Sequence, residues 1–96
     1  MHLQDLDLLA QAIESRERVF GTHGYFLSFK ATRSQLEKTP NLIRIAIALY
    51  MPNLCQSAGI EAPPMDQFMT YARELVVHLA ERWDIKLDSH WFNEEL

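Results

Sequence analysis

Leu42-Ile43-Arg44-Ile45-Ala46-Ile47-Ala48-Leu49-Tyr50 admits two readings, and the choice between them decides the fold. Ile43, Ile45, Ile47 and Leu49 alternate with Arg44, Ala46, Ala48 and Tyr50, which is the period of a strand. The same residues also form helical rows, Leu42-Ala46-Leu49 and Ile43-Ile47-Tyr50. Two features favour the helix. Thr39-Pro40 in front supplies an N-cap threonine and a proline at the first helical position. The intervening alanines are good helix formers and poor strand formers. A helix here is apolar nearly all round, which predicts a central position. Read as a strand instead, 42–50 pairs with 25–31 in a β-hairpin packed on two helices, and the fold becomes α+β.

The C-terminal side of this stretch carries the strongest periodicity. Met65, Phe68, Met69, Ala72, Leu75, Val76, Leu79, Ala80 and Trp83 recur at helical spacing and predict an amphipathic helix ending near Asp84. A stripe that wide requires cover from this chain or another. Pro52-Asn53 is expected to break the element before it, with Leu54–Ala58 as a short turn closed by Gly59. Pro63-Pro64 reads as a stiff extended connector.

On the N-terminal side, Leu3, Leu6, Ala10, Ile13 and Phe20 share a face, and the spacing predicts a helix from Leu3 to Phe20 with Gly21 as its C-cap. Asp5 and Asp7 suit the positive end of its dipole, and Arg16 and Arg18 the negative end. Tyr25–Phe29 is too short to show a period. Ser34-Gln35-Leu36-Glu37 matches a capping box and predicts a helix beginning near Gln35. The expected fold is therefore all-α, a compact bundle of three to four helices, with the α+β arrangement as alternative. The 96 residues form one domain, 1–96, with 85–96 as its tail.

Composition narrows the function classes. At 48 % hydrophobic residues the chain has enough apolar surface to fold. No apolar run is long enough for a bilayer, so no membrane association is expected. The N-terminus lacks the basic start of a signal peptide. A single cysteine, Cys55, rules out an internal disulfide and suits a reducing compartment, which makes cytoplasmic residence the expectation. Net charge is −4, divided into +1 over residues 1–48 and −5 over 49–96. The acidic half is unsuited to phosphate backbone and suited to a basic protein surface.

Candidate chemistry is sparse. His78 has Glu74 and Arg82 one helical turn away on either side, but no second ligand at metal spacing, and reads as a solvent-facing histidine. Cys55 has no neighbouring positive charge to lower its pKa and reads as a half-buried small hydrophobe. No metal or cofactor is expected, and no catalysis. The sequence favours a small soluble regulator, an adaptor or inhibitor, that docks on another protein. The expected contact is the acidic, aromatic C-terminal surface: His90, Trp91, Phe92, Glu94 and Glu95. Homodimerisation through the same surface is a close variant. One alternative is a nucleic-acid-binding transcriptional regulator using Lys30, Arg33, Lys38 and Arg44. Another is a small enzyme whose site residues, such as Cys55 and a histidine, assemble from afar.

Overall fold

The deciding stretch is helical. In the computed structural model, which describes residues 2–15 and 29–87, α3 runs over Pro40–Leu49 with Pro40 in its first turn. Thr39 occupies the N-cap position but does not cap with its side chain. Its hydroxyl instead donates to the Gln35 carbonyl oxygen (3.0 Å), closing the end of the preceding helix. Five helices are described: α1 (Leu3–Glu14), α2 (Phe29–Leu36), α3, α4 (Met51–Ala58) and α5 (Phe68–Arg82). No strand occurs among the described residues, so the architecture is an all-α bundle. The short α2 and α4 account for the helices beyond the expected three or four. The hairpin alternative fails because 42–49 is helix and 29–31 lies in α2. The first helix ends at Glu14 with Ser15 as its C-cap, short of the expected Phe20, and the Ser15 hydroxyl donates to the Ala12 carbonyl (3.1 Å), a local bond that competes with continuing the helix. Residues 25–28 lie outside the described residues, as does Gly21, the expected cap.

Two local expectations are corrected. Ser34-Gln35-Leu36-Glu37 ends a helix rather than starting one: α2 is described over Phe29–Leu36 and stops at Leu36. Leu36 is fully buried, and packing of that side chain overrides the local capping signal. Pro52-Asn53 breaks α3 but also begins α4, since a proline in the first turn loses no intrahelical hydrogen bond. Tyr50 serves both helices. Its N–H donates to the Ala46 carbonyl (3.1 Å), and its own carbonyl accepts from the Leu54 N–H (2.9 Å).

Helix ends follow residue chemistry. After α4, Gly59 adopts a left-handed conformation (φ 74°) and the Ile60 N–H donates back to the Cys55 carbonyl (3.0 Å). This is the Schellman closure, which needs a residue tolerant of positive φ. The same closure ends α5 with Ile85 N–H on the Ala80 carbonyl (2.8 Å), but there the left-handed residue is Asp84 (φ 55°). Pro63 and Pro64 lie in the extended connector before a 3₁₀ turn at Met65–Gln67.

The core sits between α1, α3, α4 and α5. Leu9 and Ile13 of α1, Ile47 of α3, Met51 and Leu54 around α4, and Leu75, Val76 and Leu79 of α5 are all completely buried. The α5 stripe is covered from Ala72 to Trp83, chiefly by α3 and α1, whereas Met65 and Met69 at its start are exposed. Cys55 is fully buried rather than half-buried. No helix among the described residues is long and apolar enough to cross a membrane.

Candidate functional site

Three surfaces stand out among the described residues. The first is a polar seam joining α1 to α5. Asp7 and Glu14 are seven residues apart, two helical turns, and so face the same side of α1. His78 and Arg82 are one turn apart on α5, with Trp83 following. Arg82 grips Glu14 with two parallel bonds, Nε to Oε2 (2.7 Å) and Nη2 to Oε1 (2.9 Å). The Trp83 indole N–H donates to the same Oε2 (2.7 Å). His78 Nε2 lies 2.7 Å from Asp7 Oδ1, and Arg82 Nη1 lies 3.6 Å from that oxygen. The His78 side chain is only 13 % exposed, so it faces α1 and not solvent. The Arg82 hydrogen bond holds the Glu14 carboxyl below its ordinary pKa, against an opposing push from partial burial, with the indole bond assisting. The seam clamps the first helix to the last.

The second surface is the outer side of α3. Ile43, Ile47 and Ala48 are buried, as a central helix requires. Leu42, Ile45 and Leu49 are not: they are 55, 46 and 66 % exposed. Their spacing of three and four residues places them on one face, directly opposite the buried row. The expected central position therefore holds for the inner side of α3 alone. Sequence periodicity cannot say which of two apolar faces is covered when both are apolar.

The third is a cleft of about 530 Å³ between α2 and the chain just after α5. Its apolar part is Phe29 and Ile85, and its rim is Lys30, Arg33, Ser34 and Glu37. The Phe29 ring packs on Trp83 with centroids 5.2 Å apart and planes tilted by 53°.

The residues singled out in the sequence are distributed as follows. Lys30 and Arg33 share the cleft, Lys38 is exposed in the turn before α3, and Arg44 lies against α5 with its Nε donating to the Met69 carbonyl (2.9 Å). The basic stretch is therefore divided between different surroundings. His90, Trp91, Phe92, Glu94 and Glu95 lie outside the described residues. Cys55 has its thiol pKa pushed up by burial and, secondarily, by the negative charge of Asp5, which is the opposite of nucleophile activation. Among the described residues no cluster of His, Cys, Asp or Glu has the arrangement of a metal site. Asp7 and Glu14 were missed by local reading because their partners are 71 and 68 residues away. Leu42, Ile45 and Leu49 carried a usable signal in their own spacing.

No protein-family model, no curated protein and no solved structure matches this chain.

Proposed function

We propose that the protein is a small non-catalytic regulator, an adaptor or inhibitor, that acts by docking on another protein through the outer face of α3. The observation that supports this is the row Leu42, Ile45 and Leu49, three large aliphatic side chains open to solvent on one helical face. Isolated exposed apolar residues are ordinary, but three aligned on the core's own central helix form a stripe of the kind that helix-to-groove and helix-to-helix recognition uses. The contact expected from the sequence, His90, Trp91, Phe92, Glu94 and Glu95, is proposed as a second contact, with Trp91 and Phe92 as anchors. Cytoplasmic residence fits a chain whose one thiol is reduced and buried. Self-association through the α3 face is the variant of this reading in which the docked protein is another copy.

The test is capture of partners by the full chain and by the Leu42→Ser/Ile45→Ser/Leu49→Ser variant, with circular dichroism to show that both are folded. The expected result is a defined partner retained by the wild type and lost from the variant. If both retain the same proteins, the face is not the docking surface. Light scattering distinguishes the self-association variant, for which the mass falls to that of one chain in the triple mutant.

A further inference from the structure

We propose that the cleft between α2 and the end of α5 is a separate docking site, for a short acidic peptide segment supplied by a partner protein. One aromatic or large aliphatic side chain of that segment rests on Phe29 and Ile85, and its carboxylates meet Lys30 and Arg33. This goes beyond the α3 reading and stands or falls without it.

Three observations carry the inference. The apolar part of the cleft is held in place before any ligand arrives. Phe29 packs on Trp83, and the Trp83 indole is fixed by Glu14, which is itself held by Arg82. Such preorganisation lowers the ordering cost of binding. The rim carries two cations, Lys30 and Arg33, against one acid, Glu37, in a protein whose net charge is −4. Lys30 and Arg33 are three residues apart on α2, both exposed, and neither has a hydrogen-bond or ion-pair partner among the described residues. Arg44 of α3 and Arg82 of α5 differ: Arg44 bonds the Met69 carbonyl and Arg82 bonds Glu14. Two exposed cations beside a half-buried aromatic ring complement an anion that has an apolar part. The volume, about 530 Å³, suits one large side chain with its flanking backbone.

Peptide carboxylates fit this rim better than a phosphate backbone does. A nucleic-acid footprint depends on many cations along a track. Here there are two, Lys30 and Arg33, too few for such a track.

The experiment uses fluorescein-labelled octapeptides, each with one central Trp, Phe or Leu flanked by glutamates, titrated with the full chain. The same peptides with glutamine for glutamate, and a labelled oligothymidylate, serve as comparisons. At least one acidic peptide is expected to bind with Kd below about 100 µM. Its glutamine counterpart and the Lys30→Glu/Arg33→Glu variant are each expected to weaken binding about tenfold or more, with the variant's melting temperature unchanged. Phe29→Ala gives a second arm, expected to weaken the aromatic peptides more than the leucine peptide. The proposal is overturned if no acidic peptide binds below about 1 mM, if glutamine and glutamate peptides bind alike, or if the oligonucleotide binds more tightly than any peptide. Two further results reassign the cleft and overturn a partner as the source. One is a tenfold gain in peptide affinity on Trp91→Ala/Phe92→Ala, which marks this chain's own acidic segment as the occupant. The other is a dimer mass lost in Lys30→Glu/Arg33→Glu, which marks a second copy.

Discussion

At the scale of single residues, two positions run against their surroundings, and both make sharp predictions. Thr32 is completely buried in α2, and its hydroxyl has no hydrogen-bond partner among the described residues. A buried hydroxyl without a partner loses its water and receives nothing in exchange. Thr32→Val keeps the shape and removes that cost, so urea unfolding is expected to show a gain of about 1 kcal/mol. A loss of stability would mean that the hydroxyl is satisfied in solution. Asp84 holds the left-handed position after α5, where a side chain with a Cβ is strained. Asp84→Gly is expected to stabilise by about 0.5 kcal/mol, a part of the gain being offset by the freer unfolded chain. Thermal unfolding checks it through a rise of about 2–4 °C. Gly59 already meets the same requirement at the end of α4.

At the scale of elements, the sequence was most readable where one local pattern and the tertiary demand coincide. Thr39-Pro40 starts α3, and the row from Ala72 to Trp83 is the buried face of α5. It misled where a local signal fits either end of a helix. Ser34–Glu37 resembles a start, but Leu36 is wanted by the core, so the helix precedes it. Pro52 resembles a stop and is also a start. The α1–α5 seam was out of reach, because Glu14 and Arg82 are brought together only by the fold. The seam predicts a pH dependence. The carboxyl of Glu14 has its pKa lowered in the folded protein by Arg82, so the stability it contributes is fully present above its unfolded value near 4.5. That contribution is lost as pH falls through the lower folded value. Glu14→Gln is expected to lower stability by about 1–2 kcal/mol at neutral pH and to flatten the loss of stability below pH 4.5, as read by urea midpoints across pH. Parallel curves for wild type and variant would remove Glu14 from the acid response.

At the scale of the whole molecule, the division of apolar residues between core and surface matters most. The core uses one side of α3, through Ile43, Ile47 and Ala48, and leaves the other side open. A sequence pattern that is apolar all round announces a central helix, but it does not say how many neighbours the chain supplies. Here the chain supplies cover on α3's inner side, mainly through α5, and leaves Leu42, Ile45 and Leu49 exposed. Ile47→Ser, on the inner side, is expected to cost about 3 kcal/mol or more, since it opens a cavity and buries a hydroxyl. Urea unfolding of the full chain carrying Leu42→Ser, Ile45→Ser and Leu49→Ser together is the most direct measurement of whether the outer face serves a partner or the fold. The predicted result is a folded protein whose unfolding free energy lies within about 1 kcal/mol of wild type, with an unchanged denaturant slope. A loss comparable to that of Ile47→Ser would show that the outer face is covered in the native monomer, and would contradict its reading as a docking surface.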